Sequence, residues 1–286
     1  MRLLTLLLAT TMATMAAALR KVLVTGANKG IGKRIATKIL TDIDDSFVYL
    51  GARDAGRGAA AVADILAAHP EAAGRLELLE LDTESDESVK AAADKVDSLW
   101  GLCNNAGVGF GRSIKDTLAP NYYGSKRVCE AFLPKIESRI CNIGSASAPN
   151  FVSSLGDPSL KAFFTSSSTT LEDLEKKLDE YSNAPDYEGV AYGLSKASLH
   201  VLTMRLQKAH PSLFINTCSP GYVLTDLTAG MGASKTPEQS NCHVAPLHIL
   251  FGDDVARGWY YGSDAVRSPL DVYRGPGDAP YESDTW

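Results

Sequence analysis

The stretch "KVLVTGANKGIG" (Lys21–Gly32) joins a short apolar run to a loop that contains three glycines, Gly26, Gly30 and Gly32. The apolar run predicts a buried strand, and "GIGKRIATKILTDI" predicts a helix that begins in the loop. Glycines let the backbone turn tightly, while a helix N-terminus offers free N–H donors and the positive end of its dipole. A glycine loop between a strand and a helix therefore predicts a pyrophosphate-binding turn.

Alternating strand and helix patterns continue from this loop through most of the chain. Further helices are predicted in "GRGAAAVADILAAH", "SDESVKAAADKV" and "GVAYGLSKASLHVLTMRLQKAH". Further strands are predicted at Ser46–Arg53, Arg75–Asp82, Ser98–Gly107, Arg139–Ser147 and Leu213–Gly221. Such alternation is typical of a parallel sheet with crossover helices. The predicted fold is α/β: one domain, residues 19–286, built on a doubly wound, Rossmann-type parallel sheet flanked by helices.

Residues of about 149–189 do not follow the alternation. They contain "STTLEDLEKKLDEY", which predicts an amphipathic helix with a Ser/Thr cap and an acidic first turn. Insertions at the carboxyl edge of a parallel sheet usually cover the site there. We therefore expect a helical insertion that helps to form the pocket.

The N-terminal residues 1–18 have the layout of a secretory signal peptide: one Arg, a Leu-rich run and small residues that end in Ala16–Ala18. Alternatives are a disordered or mis-started extension and an organellar leader. We expect the secretory pathway or an organelle if the leader is a true signal, and the cytoplasm otherwise. The stretch is too weakly apolar toward its end for a membrane span, so none is expected in the mature chain.

Composition excludes several function classes. The chain is 45% hydrophobic and 22% charged, ordinary values for a soluble globular protein. Its net charge of −6, with no basic block, argues against a nucleic-acid partner. The five cysteines and the histidines show no metal-ligand spacing, so no metal is expected and the cysteines are predicted to be buried free thiols.

Several linked motifs resemble those of the short-chain dehydrogenase/reductase family, from Lys21 to about Thr225. They are "TGANKGIG", "NNAG" at Asn104–Gly107 and "PG" at Pro220–Gly221. "GARDAGRG", Leu81–Asp82 and the long insertion look like the monomeric, NADPH-dependent carbonyl reductase branch. The resemblance implies a monomer whose partner is a small-molecule carbonyl substrate.

The second strand ends in Arg53, where NAD-binding proteins commonly carry an acid for the ribose 2′-hydroxyl. Arg53 and Lys29 suit the extra phosphate of NADP, so NADP(H) is the expected cofactor. The resemblance also implies that Asp82 meets the adenine, Asn105 a ribose, and Val223 and Thr225 the nicotinamide amide. The complete set of implied cofactor contacts is Gly26, Asn28, Lys29, Gly30, Ile31, Gly32, Arg53, Asp82, Asn105, Tyr192, Lys196, Pro220, Gly221, Val223 and Thr225.

A Tyr-x-x-x-Lys pair occurs twice, as Tyr122/Lys126 and Tyr192/Lys196. A lysine one helical turn from a tyrosine favours the phenolate and can lower its pKa toward a useful range for proton transfer. The second pair opens a long helix after the fifth strand, whereas the first precedes that strand. We therefore predict that Tyr192 is the functional copy and that Tyr122 is structural.

The resemblance implies a catalytic tetrad of Asn121, Ser145, Tyr192 and Lys196. In it the serine holds the substrate oxygen, the tyrosine gives a proton, and the asparagine helps to hold a water that links the lysine to solvent. Two features depart from the family pattern: the stretch between "NNAG" and Asn121 is shorter, and Gly144 stands where the branch often has a second serine.

The function expected is the reduction of an aldehyde or ketone to an alcohol, with hydride from nicotinamide C4 of NADPH and a proton from Tyr192. Three alternatives stay open. They are an NAD(P)-dependent alcohol dehydrogenase working in the oxidative direction, a non-catalytic NADP-binding regulator, and a secreted binding module. Ser145 lacks a G-x-S-x-G elbow, which counts against acyl transfer.

Overall fold

Seven parallel strands form the central sheet in a computed structural model that describes residues 19–183 and 190–283. The strands are β1 Arg20–Val24, β2 Ser46–Ala52, β3 Leu76–Glu80, β4 Leu99–Asn104, β5 Ile136–Ile143, β6 Phe214–Cys218 and β7 Tyr260–Tyr261. Their order is β3-β2-β1-β4-β5-β6-β7. From β1 the chain adds strands toward one edge of the sheet, and from β4, on the other side of β1, it adds strands toward the opposite edge. This reversal opens a crevice at the carboxyl ends of β1 and β4. The predicted α/β class and doubly wound parallel sheet are confirmed.

Ten α-helices connect or cover the strands over the same residues. They are α1 Gly30–Asp42, α2 Ala55–Ala68, α3 Asp86–Asp94, α4 Ile114–Leu118, α5 Ser125–Phe132, α6 Ser147–Ser154, α7 Pro158–Thr165, α8 Leu171–Ser182, α9 Val190–Ala209 and α10 Val244–Phe251. Several of these helices begin at a residue whose side chain caps the free N–H groups of the first turn. At the start of α8, for example, the Thr170 hydroxyl accepts from the Asp173 N–H.

Both faces of the sheet are buried, because helices cover each face. Side chains alternate along every strand, so each strand contributes to both cores. On β1, Leu23 faces a core shared with α3, α5 and α9, while Val22 and Val24 face a second core shared with α1 and α10. All five cysteines are buried free thiols, as predicted, and all but Cys242 lie in these two cores.

The seventh strand was not predicted. β7 is only two residues long, so it offers no periodic pattern, and its place is set by parallel pairing of Tyr260 with Thr217 and of Tyr261 with Cys218.

The insertion contains three described helices, where the sequence predicted one. The predicted helix is α8, and α6 and α7 precede it. They were missed because each has only eight residues, too few for a clear helical period. Helix α6 approaches α9 closely at Gly193, where a Cβ would lie 2.7 Å from the Cβ of Phe151.

The expectation that the insertion forms part of the pocket is wrong for residues 149–183. Its helices instead pack against α4 and α9, with Phe164, Leu174 and Leu178 buried. None of residues 149–183 lines the cavity, because these apolar side chains are buried in the core instead. The last residues of the insertion, 184–189, lie outside the described part of the chain.

The leader, residues 1–18, lies outside the described residues as well. Among helices of the described chain, none combines the length and the apolar character that crossing a bilayer requires.

Candidate active site

A cavity of about 760 Å³ lies at the carboxyl ends of β1, β4, β5 and β6. Its wall combines the glycine loop after β1, the loop after β4, the end of β5 and the segment after β6. Every predicted cofactor contact except Asn28 lines it: Gly26, Lys29, Gly30, Ile31, Gly32, Arg53, Asp82, Asn105, Tyr192, Lys196, Pro220, Gly221, Val223 and Thr225. Ser145 lines it too, whereas Asn121 is buried behind the wall.

The glycine loop and the loop after β4 pack closely against each other. The φ of Gly26 is 61°, a conformation that favours glycine, and a Cβ there would lie 2.9 Å from Ala106 Cα. At Gly32 a Cβ would come within 2.4 Å of Asn105 Nδ2. The Asn105 side chain donates to the carbonyl of Thr25 at 2.9 Å. Asn105 therefore braces the loop that would hold a pyrophosphate.

Thr25 holds together two loops of the cavity wall, a role that its sequence position alone did not indicate. Its hydroxyl accepts from the N–H groups of Asn105 and Ala106, both at 3.0 Å. The hydroxyl thus fixes the distance between β1 and the loop after β4. The one hint in the sequence is that Thr25 opens the glycine motif.

The two predicted cations near the cofactor differ in their partners. Lys29 forms an ion pair with Asp226, which reaches it across the cavity mouth. Arg53 follows the end of β2, is exposed, and has no ion pair among residues 19–183 and 190–283. Of these two cations, Arg53 is therefore the one without an ion-pair partner that an anionic ligand would have to displace.

Ser145, Tyr192 and Lys196 meet at the inner end of the cavity. Ser145 comes just after β5, and the other two lie one turn apart on α9. The Ser145 hydroxyl lies near enough to Tyr192 to lower the pKa of that tyrosine. The Lys196 ammonium donates to the carbonyl of Ile143 at 2.8 Å and lies 5.7 Å from the Tyr192 ring centre.

Burial controls the charge of these groups in the protein alone. It raises the pKa of Tyr192 and lowers that of Lys196 to about 8, while the Ser145 hydrogen bond lowers the tyrosine pKa by less. In the protein alone, desolvation of the phenolate is therefore the largest influence on the tyrosine pKa, and the effect expected of Lys196 stays a prediction. Tyr192 stays protonated, which is the form that can give a proton.

Asn121 lies in a wider, π-type turn, Ala119–Gly124, that joins α4 to α5. Its Oδ1 accepts from the Val108 N–H at 2.8 Å, and its Nδ2 donates to the Val108 carbonyl and to the Ser195 hydroxyl. With the shortened stretch before it, Asn121 is held by these bonds against the loop after β4. A Cβ added to Gly107 would lie 2.7 Å from Asn121 Oδ1 and 3.8 Å from Lys196 Nζ, so both flank the same glycine.

Comparison with known proteins identifies the family. The family model described as short chain dehydrogenase matches residues 20–155. Carbonyl reductase (NADPH) 1 of Macaca fascicularis is 30% identical in an alignment that covers 79% of this chain and 89% of that protein. The chain belongs to the short-chain dehydrogenase family. Carbonyl reductase (NADPH) 3 of Rattus norvegicus is 31% identical over 248 residues, 77% of this chain and 87% of that protein.

Solved structures of other reductases have the same fold as this short-chain dehydrogenase. Menthone neomenthol reductase from Mentha piperita has a TM-score of 0.70 at 26% identity, over 86% of this chain and 99% of that one. Salutaridine reductase from Papaver somniferum has a TM-score of 0.72 at 24% identity, over 85% and 99% of the two chains. The family resemblance drawn from the motifs is confirmed, and with it the class of reaction, redox between a carbonyl and an alcohol.

The first Tyr-x-x-x-Lys pair of this short-chain dehydrogenase points away from the cavity. Tyr122 is fully buried, and its hydroxyl donates to Glu175 of α8 at 3.1 Å. Lys126 donates to the same carboxylate oxygen at 2.7 Å. Burial and the nearby Glu175 charge raise the pKa of Tyr122 far above its usual value. The pair anchors the insertion to α5, which agrees with the structural role predicted for Tyr122.

Phe110 is a cavity residue that the sequence did not indicate. Its ring centre lies 4.5 Å from that of Tyr192, and 42% of the side chain is exposed at the cavity mouth. The opposite wall carries Leu227, which packs so closely on the loop that a Cβ at Gly109 would lie 2.4 Å from its Cγ. Loop contacts of this kind leave no trace in local sequence periodicity.

Proposed function

We propose that this short-chain dehydrogenase reduces an aldehyde or ketone to an alcohol with NADPH. The observation that carries the proposal is the meeting of Ser145, Tyr192 and Lys196 in one cavity whose wall also holds the glycine loop and Arg53. The relatives named carbonyl reductase (NADPH) support the same cofactor and the same reaction class.

NADPH, when bound, supplies the hydride from nicotinamide C4 to the carbonyl carbon. Ser145 donates a hydrogen bond to the substrate oxygen, and Tyr192 gives that oxygen its proton, so that the product is the neutral alcohol. The Lys196 ammonium stabilises the phenolate that Tyr192 leaves behind. Asn121, beside Gly107 and Lys196, is the residue proposed to help restore the proton from solvent through a water.

The cavity wall offers suitable groups for each part of NADP(H). The N–H groups at the start of α1 would receive the pyrophosphate, and Arg53 the 2′-phosphate. Asp82 and Asn105 would contact the adenine and a ribose. Val223 and Thr225, on the segment after β6, would contact the nicotinamide amide.

The proposal is tested by NADPH consumption over a panel of aldehydes, ketones and quinones. Consumption with at least one carbonyl class supports reduction. Turnover of alcohols with NADP⁺ or NAD⁺ but of no carbonyl in the panel would favour the oxidative dehydrogenase. Tight NADPH binding with no turnover in either direction would favour the regulator.

Arg53→Glu is expected to raise the KM for NADPH by about 10- to 100-fold, the effect of losing one charge-assisted bond and adding repulsion. The KM for NADH should change little. Arg57→Glu is the matched control, because Arg57 lies four residues further along, in the first turn of α2, pairs with Asp54 and does not line the cavity. Equal effects of the two reversals on the KM for NADPH would contradict the assignment of Arg53.

We propose a monomer, because α7 and α8 of the insertion cover the outer side of α9. The Glu175 carboxylate, bonded to Tyr122 and Lys126, fixes α8 in that place. Sedimentation should give the mass of one chain, close to 30.5 kDa with its leader, at micromolar concentration. A species of twice that mass at low concentration would show that the insertion does not prevent association.

We propose that residues 1–18 direct the chain to the secretory pathway or to an organelle. The full chain carrying a C-terminal fluorescent tag should then enter that compartment, and a chain lacking residues 1–18 should stay in the cytoplasm. Cytoplasmic location of both would leave the leader without a targeting role.

A further inference from the structure

A buried polar wall lies behind Gly144, on the side away from the cavity. It consists of His200 on α9 and Thr217 on β6, each only 1% exposed. His200 Nε2 and Thr217 Oγ1 have no hydrogen-bond partner among the described residues. Buried polar atoms are nearly always hydrogen-bonded to protein or to an ordered water, so two such atoms close together point to a shared ligand.

Both atoms face the same glycine. A Cβ built on Gly144 would lie 2.7 Å from Thr217 Oγ1 and 3.1 Å from His200 Nε2. Any side chain at position 144 would therefore collide with this wall. The glycine found where related reductases often have a serine is thus explained by what lies behind it.

Gly144 sits between two groups of the active site. The carbonyl of Ile143, just before it, accepts from the Lys196 ammonium at 2.8 Å, and Ser145, just after it, lines the cavity together with Tyr192. The Gly144 N–H in turn donates to the carbonyl of Cys218 at 2.7 Å. A shift of this turn would displace the serine and the lysine together.

His200 continues the active-site face of α9. Tyr192, Lys196 and His200 follow one another at four-residue spacing, and the His200 ring packs against Tyr260 with centres 4.7 Å apart. Burial, with a smaller contribution from the Lys196 charge, lowers the pKa of His200 to about 3. The imidazole is therefore neutral at any working pH and adds no second positive charge beside the lysine.

We propose that His200 and Thr217 hold one buried water molecule behind Gly144 and act with it as positioning residues for Ser145 and Lys196. The water joins Nε2 to Oγ1, keeps the Ile143–Ser145 turn in place, and so aligns the hydroxyl and the ammonium for proton transfer. The kinetic part of this inference rests on the function proposed above, whereas the water itself does not.

The kinetic test uses two substitutions that remove a polar atom at nearly constant volume, Thr217→Val and His200→Phe, with Thr217→Ser as the conservative variant. We expect Thr217→Val and His200→Phe to lower kcat about tenfold while the KM values for NADPH and carbonyl change less than about twofold. Thr217→Ser should keep the wild-type kcat. Thr203→Val is the control. The buried Thr203 hydroxyl lies on α9, as His200 does, but it accepts a hydrogen bond from the Asn142 side chain and so has its own partner.

The structural test is a crystal structure of the wild-type protein at high resolution, and one of Thr217→Val. We expect one ordered water within hydrogen-bond distance of His200 Nε2 and Thr217 Oγ1 in the wild type, and its loss in the variant. Absence of that water from the wild type, or a wild-type kcat in both Thr217→Val and His200→Phe, would overturn the proposal. An equal loss of kcat in Thr203→Val would overturn the positioning role. A wild type that reduces no carbonyl would refute the proposed function alone, since the water is tested without turnover.

Discussion

Tyr192→Phe is expected to lower the kcat of carbonyl reduction by about 10²- to 10⁴-fold, the usual contribution of a positioned proton donor. The phenyl ring keeps the contact with Phe110, 4.5 Å between ring centres, but has no proton to give. The KM for NADPH should stay near the wild-type value. Steady-state NADPH consumption with the best carbonyl substrate measures both.

Tyr122→Phe is the matched control in the other Tyr-x-x-x-Lys pair. It removes a hydroxyl bonded to Glu175 but leaves that carboxylate paired with Lys126 at 2.7 Å. We expect kcat to stay within about twofold, and the free energy of unfolding to fall by about 1 kcal/mol, the typical value of one hydrogen bond. Full activity in Tyr192→Phe would exclude the proposed proton donor.

Lys196→Met is expected to lower kcat by about 10²-fold or more, because no positive charge then stabilises the phenolate of Tyr192. The same change should increase stability. Lys196 is 5% exposed, and burial lowers its pKa from 10.5 to about 8, so below pH 8 the folded state carries an ammonium that water would solvate better. Replacing the lysine removes this cost but also removes the hydrogen bond to the Ile143 carbonyl. The net gain expected in unfolding free energy is about 2 kcal/mol at pH 7.

The pH dependence of that gain follows from the direction of the pKa shift. The cost of the buried ammonium is fully present below pH 8 and disappears as pH rises toward 10.5, where the unfolded lysine also loses its proton. Urea unfolding at pH 7 and at pH 10 should therefore show a smaller difference between variant and wild type at the higher pH. Lys126→Met is the control; it removes an ion pair with Glu175 and should reduce stability while leaving kcat unchanged. A Lys196→Met protein that is active or clearly less stable would contradict the account.

The six longer strands and the glycine loop could be predicted because they depend on local periodicity and on residues with special backbone freedom. The apolar run of β1 and the glycines at 26, 30 and 32 can be recognised from the sequence alone. The two-residue strand β7 exists only through its pairing with β6, a contact that no local pattern contains.

Much of the candidate site was also within reach of the sequence, since Ser145, Tyr192 and Lys196 occupy motif positions. What could not be foreseen depends on tertiary contacts. Phe110 reaches Tyr192 because its loop packs on Leu227, and the tyrosine pKa rises because α9 is buried along most of its length. The burial of α9 could not be deduced from the sequence. Its buried residues lie on all faces of the helix, so the apolar positions show only a weak helical period.

The central claim, hydride transfer from NADPH to a carbonyl carbon, is tested most directly by labelling. The protein is incubated with a carbonyl substrate from the panel and NADPH deuterated at both C4 positions, and the alcohol is analysed by mass spectrometry and NMR. We expect one deuterium in each product molecule, on the carbon that bears the hydroxyl. An alcohol without deuterium at that carbon, or no alcohol from any carbonyl in the panel, would contradict the claim.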